Sequence, residues 1–306
     1  VAQGELFGGP PGNLTGELFP RARSEPAPGA VLVPGWLDAE AQLRLVADCR
    51  EWARPPAGMH TVRMPTGGVM SVQMVSLGLH WYPYGYRRTA ADGTPVKPFP
   101  AELGRLARRA VADAYGDACA DIAGADRYEP DIAIVNHYPH GAKMGLHQDR
   151  DERTDAPVVS LSIGDTCVFR LGNTETRTRP WTDLELRSGD LLVFGGPARF
   201  AYHGVVRTLP GTADPALGLT GRLNITVRQS GLGVGGGGFG PGGQGDGFGP
   251  GGQGGGFGPG GGGPGPGAGG GGSSSRGGLR RPRSSESTAV ALVCGNSRAR
   301  WRIRVG

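Results

Sequence analysis

The four cysteines of this chain, Cys49, Cys119, Cys167 and Cys294, are scattered and form no CxxC or comparable pair. Neither a zinc knuckle nor a disulfide framework is indicated. No apolar run reaches 18 residues, so no membrane-spanning helix is expected. The N-terminus lacks a basic stretch followed by an apolar one, so no secretory signal is expected either. Free thiols fit a reducing cytoplasm. Lysine is scarce. Lys97 and Lys143 are the only two, and arginine supplies nearly all the positive charge. Together with abundant Ala, Gly and Pro, that bias suggests a GC-rich coding sequence before any selection for arginine chemistry.

What is abundant is unevenly spread. Of 59 glycines, 32 lie in residues 231–306. The same segment holds eight arginines against Asp246 and Glu286, a charge of +6 within a chain total of +5. The rest is therefore near neutral, at −1. Three parts follow: an irregular Gly/Pro-rich leader (1–29), a folded unit (30–230) long enough to bury a substantial core, and a basic tail (231–306). The tail opens with a nine-residue period marked by Phe239, Phe248 and Phe257. That period is too short for a helical solenoid and lacks the three-residue glycine rule of collagen. With so few apolar side chains it is expected to be disordered. Two basic clusters close it, Arg276 to Arg283 and RARWRIR, and short runs at 289–293 and 301–305 can form transient strands.

Within 30–230 the pattern is α+β. Asp38 is placed to cap a helix running to Trp52, and Pro55-Pro56 ends it. A second helix is expected from Pro100, as a first-turn residue, to Tyr115, with Leu103, Leu106, Ala107, Ala110, Val111 and Ala114 as its buried stripe. Residues 60–86 hold short alternating runs that suit strands or an irregular lid. Beyond residue 131 come short strands: 132–138, 158–163, 167–171, 184–186, 191–194, 203–206 and 223–228. Helices first and many punctuated strands after suggest helices buttressing a jelly roll.

His147 and Asp149 stand two apart in HQD, and His203 follows in RFAYHG. On extended backbone residues i and i+2 share a face, so the first pair can converge on one ion and His203 can complete the set. Two imidazoles and one carboxylate on a single face suit Fe(II) and leave positions open for a chelating co-substrate and O₂. Iron(II) chemistry would fit a reducing cytoplasm, as the free thiols do. An HxD triplet also recurs by chance; RLNITVR adds weight. Arg222, Asn224, Thr226 and Arg228 fall on one face, and Leu223, Ile225 and Val227 on the other. The polar face is either a half-exposed strand with arginines in water or a pocket for a dicarboxylate, which guanidinium groups match in fork geometry. Asn136 and Tyr138 repeat the same spacing upstream.

Taken in order, NxYxxGxxxxxHxDxDE at 136–152, FxYHG at 200–204 and RxNxTxRQ at 222–229 resemble the AlkB family of Fe(II)/2-oxoglutarate dioxygenases over roughly residues 30–230. The resemblance implies a double-stranded β-helix with a nucleotide-recognition lid. It implies iron on His147, Asp149 and His203, and 2-oxoglutarate on Asn136, Tyr138, Arg222, Asn224 and Arg228. For substrate it implies Trp81, Tyr84, Tyr86 and Asp151, with lid contacts from Met70 and Met74. The lid's GGV lacks the aromatic residue of the family pattern and is one residue shorter. Residues 173–179 replace a basic segment, where Arg177 is the candidate contact. The implied reaction is oxidative dealkylation of 1-methyladenine and 3-methylcytosine in alkylation-damage repair. It consumes 2-oxoglutarate and O₂ and releases formaldehyde, succinate and CO₂. The expected partner is single-stranded DNA or RNA, met by a monomer with no obligate protein partner and no membrane. A near-neutral unit suits single strands because it has little charge to wrap a duplex. Two other readings stay open: an iron/2-oxoglutarate hydroxylase acting on RNA, protein or a small molecule, and a nucleic-acid-binding module without catalysis.

Overall fold

The computed structural model describes residues 21–233. Every expectation about the tail beyond residue 233, including its repeats and basic clusters, lies outside the described residues, as do the first 20 residues of the leader.

The chain begins with a hairpin, β1 (Ser24–Ala27) and β2 (Ala30–Val33), followed by α1 (Ala39–Trp52). Then come β3 (His60–Arg63), β4 (Val69–Leu77), β5 (His80–Tyr82), β6 (Gly85–Arg87) and α2 (Ala101–Tyr115). Eight more strands complete it: β7 (Ile132–Tyr138), β8 (Met144–His147), β9 (Val158–Gly164), β10 (Thr166–Gly172), β11 (Trp181–Leu186), β12 (Leu191–Phe194), β13 (His203–Leu209) and β14 (Arg222–Arg228). An eight-stranded sheet runs β1-β2-β12-β9-β14-β7-β4-β3, and a four-stranded sheet runs β11-β10-β13-β8. The two pack as a double-stranded β-helix, and β5 and β6 form a separate hairpin.

Alternation along the strands divides the core into two layers. Leu223, Ile225, Val227, Val159, Leu161, Ile163 and Val135 join the stripes of α1 and α2 on the outer face of the large sheet. Leu192, Phe194, Val158 and Tyr138 point the other way and meet Cys167, Phe169, Leu171 and Val205 of the small sheet. Burying each such aliphatic or aromatic side chain stabilises the fold by about 1.5–3 kcal/mol. Because the helices cover only the outer face, the inner face at the open end of the sandwich is left for chemistry.

Both helices form where expected. Asp38 caps α1, its carboxylate accepting from the Ala41 N–H at 2.7 Å. Pro100 sits one position before the first turn of α2, with extended backbone (ψ 129°) and no side-chain cap hydrogen bond. Three expectations change. The leader is not irregular throughout: Ser24–Ala27 pairs with β2, and Arg21 makes a two-bond contact with the buried Asp190. Residues 60–86 are not an irregular lid but defined strands, β3 to β6. Val69–Leu77 is one strand, held between β3 and β7. Strand β8 was unforeseen; the short Met144–His147 exists because it pairs with β13.

Candidate metal centre and adjoining cavity

Register brings the metal-ligating candidates together. His203 begins β13, His147 ends β8, and the two are direct partners in the ladder. Their close approach depends on Gly204: a Cβ there would lie 2.6 Å from the Met144 carbonyl oxygen. The imidazole centroids are 4.5 Å apart. His147 Nδ1 lies 3.0 Å from the Gly145 carbonyl, and His203 Nδ1 lies 2.9 Å from the Ala201 carbonyl. A carbonyl accepts only from N–H, so both rings keep Nε2 free as a lone-pair donor. Those Nε2 atoms each lie 3.7 Å from a different oxygen of Asp149. All three candidate ligand atoms fall within 4.8 Å of one another.

Asp149 is buried, and its Oδ2 accepts no hydrogen bond although Arg228 Nη2 stands 2.8 Å away in an ion pair. Burial alone would raise this carboxyl. Arg228, His203, His147 and Arg199 more than reverse that and hold it well below the usual carboxylate range. Burial, with the neighbouring His147, lowers His203 to about 4, opposed by Asp149. Both ligands are thus in the protonation state a metal needs.

The cavity beside the triad has a volume of about 350 Å³, within the range of small-molecule sites. Strand β14 supplies one wall. Its pairing with β7 sets Arg222 opposite Tyr138 and Asn224 opposite Asn136. The arginines are not in water: Arg222 is 1% exposed and Arg228 7%. Arg222 donates to Ser162 Oγ at 2.8 Å and weakly to the Asp165 carbonyl, and no carboxylate pairs with it among the described residues. Asn224 donates to Ser160 Oγ at 2.8 Å. Asn136 Oδ1 and the Nε atoms of Arg222 and Arg228 are buried with no partner. A cavity lined by an uncompensated guanidinium and orphaned polar atoms is built for a polar, anionic ligand.

On the hairpin side, Trp81 lines the cavity and donates its indole N–H to Asp151 Oδ2 at 2.8 Å. Burial raises the Asp151 carboxyl; the Trp81 bond opposes this. Met70, Met74 and Arg177 line the cavity as well, Arg177 with its guanidinium carbon 5.7 Å from the Tyr202 ring centre. Tyr84 sits at its mouth, 74% exposed in the left-handed hairpin turn (φ 74°). Tyr86 does not line the cavity. Its hydroxyl donates to Glu152 Oε1 at 2.5 Å and accepts from Arg228 Nη1 at 3.1 Å, so the phenol is engaged inside the protein.

Several residues went unassigned from sequence. Met64 and Met144 line the cavity, so four of the five methionines do. Phe169 and Phe194 pack on His203 at 5.8 and 5.0 Å between ring centres. Gln148, between two candidate ligands, donates to the Thr174 and Phe200 carbonyls and so ties together two loops beside the cavity. Arg199, an arginine isolated in the apolar stretch 191–201, is 1% exposed. That isolation was its one sequence signal.

A jelly roll with a His/Asp/His face at its open end and buried arginines beside it defines a class of iron-dependent oxygenase. The chain belongs to the 2OG-Fe(II) oxygenase superfamily, whose family model matches residues 29–228. It is therefore an Fe(II)/2-oxoglutarate-dependent dioxygenase, with O₂ as second co-substrate. Among its relatives is an alpha-ketoglutarate-dependent dioxygenase AlkB homolog of Caulobacter vibrioides, 40% identical over 210 residues, covering 66% of this chain and 88% of that one. The Arabidopsis thaliana protein named DNA N(6)-methyladenine demethylase ALKBH1D is 34% identical over 219 residues, and there the chain spans only 49% of the relative's length. The solved structure of OsALKBH1 shares 33% identity with a TM-score of 0.59, covering 67% of this chain and all of that one. The AlkB resemblance carried by the motifs therefore holds. Among the described residues no helix is long and apolar enough to cross a membrane.

Proposed function

We propose that this chain removes N-alkyl groups from nucleobases in single-stranded DNA or RNA, as a repair dealkylase working in the cytoplasm as a monomer. The observation that carries the reading is the Trp81–Asp151 pair facing the His/Asp/His triad across one cavity. An aromatic face next to a carboxylate suits a flat cation, and 1-methyladenine and 3-methylcytosine carry positive charge near neutral pH. A base must leave its stack to reach a buried centre, and one that has lost its pairing edge does so at lower cost.

In this reading His147, Asp149 and His203 hold iron. The fit rests on the donor set: two free Nε2 atoms and the Asp149 carboxylate, whose Oδ2 accepts no hydrogen bond. Arg228, already beside Asp149, takes the metal-proximal carboxylate of 2-oxoglutarate, and Arg222, without an acid of its own, takes the distal one. Asn136, Tyr138 and Asn224 line the space between. When bound, the metal with its keto-acid and O₂ supplies the oxidising chemistry. The protein binds, orients and dries the site. Trp81 offers a stacking face, Met70 and Met74 close the apolar side, and Tyr84 and Arg177 meet the strand at the mouth. Residues 30–230 form the catalytic unit, and the tail is an accessory.

A second reading takes N6-methyladenine in DNA as substrate, by likeness to the Arabidopsis relative. Formaldehyde release from oligonucleotides carrying 1-methyladenine, 3-methylcytosine or N6-methyladenine, with and without 2-oxoglutarate, separates the two. Turnover of the cationic bases supports the first; turnover of N6-methyladenine alone overturns it.

A further inference from the structure

Glu152 has no atom on the cavity wall, yet its side chain is 1% exposed and fully engaged. Arg199 Nη2 donates to Oε2 at 3.0 Å; the Tyr86 hydroxyl at 2.5 Å and Arg228 Nη1 at 3.3 Å donate to Oε1. Arg228 then reaches Asp149 Oδ2 at 2.8 Å through its other terminal nitrogen. Arg199 also donates to the backbone carbonyls of Asp149 and Ala156, both at 2.7 Å, and so fixes the segment that bears the candidate ligand. Two acids and two guanidiniums balance, so the cluster is neutral without its ligands. A continuous line of polar contacts joins the β5–β6 hairpin, which carries Trp81, to the triad carboxylate.

Stability alone is a poor reason for such a cluster. Desolvating four charges offsets most of their attraction, and apolar residues of the same volume would often serve as well. What the cluster does supply is a fixed position for Arg228, whose Nε has no partner within the protein. We propose that Glu152 is a positioning residue whose carboxylate ties Tyr86 of the hairpin to Arg228 at the triad, so that the base-binding hairpin and the co-substrate end of the site are energetically coupled. This rests on the 2-oxoglutarate role given to Arg228 above. Arg228 cannot shift toward a bound carboxylate without changing its contacts to Tyr86 and Glu152, and a hairpin displaced by substrate pulls on the same two bonds.

The test is a double-substitution cycle on the full chain loaded with Mn(II) without O₂, with 2-oxoglutarate affinity measured by titration calorimetry. Tyr86→Phe removes one hydroxyl and keeps the ring. It is expected to weaken 2-oxoglutarate binding by roughly 3- to 10-fold while Mn(II) affinity stays within about twofold, the scale of pairwise coupling in one polar network. In a Glu152→Gln background the same change is expected to have no further effect. An unchanged affinity in Tyr86→Phe, or independent effects that multiply in the double variant, overturns the proposal. If Glu152→Gln does not fold, the Tyr86→Phe affinity alone decides. Failure of the underlying reading looks different: Arg228→Lys would then leave 2-oxoglutarate affinity unchanged.

Discussion

His147 and His203 each place Nδ1 on the carbonyl two residues before them, Gly145 and Ala201. The same local turn of chain therefore fixes both tautomers, on two strands that pair residue to residue. Backbone geometry, rather than further side chains, prepares these rings to coordinate. Asp149 brings the negative charge to the set.

Replacing Asp149 with Asn keeps its shape and removes that charge. Metal affinity is expected to fall by more than roughly 100-fold, beyond the loss typical of outer contacts. Calorimetric titration with Mn(II) checks this, and an unaltered affinity would remove the triad from consideration as a metal centre.

Arg222→Met separates binding from stability. The guanidinium is buried without an acid, so the ligand-free variant is expected to melt at the same temperature as wild type or higher. Its affinity for 2-oxoglutarate is expected to drop by roughly 30-fold or more, as for loss of one member of a buried charge pair. A large fall in melting temperature with unchanged affinity would mean that Arg222 serves the fold instead.

Trp81→Leu preserves apolar volume in part but removes the stacking face and the donor to Asp151. Binding of a 1-methyladenine oligonucleotide should weaken by about 1–3 kcal/mol. Affinity for 2-oxoglutarate should hold. Equal losses in both titrations would point to a general collapse of the cavity.

The fold should lose stability on mild acidification through His80. Burial lowers this imidazole to about 4, with His60 and Arg87 adding to the effect and Asp92 opposing it. The folded form stays neutral where the unfolded chain, near its ordinary value of 6.5, takes up a proton. Its contribution is whole above about pH 6.5 and fades as pH falls toward 4. Urea midpoints at pH 7 and pH 5 are expected to differ less in His80→Gln than in wild type. An identical difference in both would remove His80 as the source.

How far the sequence could be read depended on which contacts decide each element. Strand β14 was fully legible: seven residues in strict alternation reveal a face for the core and a face for the cavity, and both appear. Strand β8 was not. Its four residues follow a Gly/Pro-containing turn and owe their conformation to β13, a partner some sixty positions away. Composition placed a phenol at Tyr86 but could not say where it points. Its direction is set by Glu152 and Arg228, 66 and 142 residues further along. Arg199 escaped for a related cause: an arginine in a loop reads as solvated until its three acceptors are seen around it.

The two-faced β14 also constrains how this protein can change. Ile225 looks toward the helices and Asn224 toward the cavity, so odd and even positions carry separate duties. Gaining or losing one residue in this segment would invert that parity, sending aliphatic groups into the ligand space and guanidiniums into the helix layer. Homologues can therefore diverge here by exchange of side chains, whereas length changes must be confined to the connections on either side.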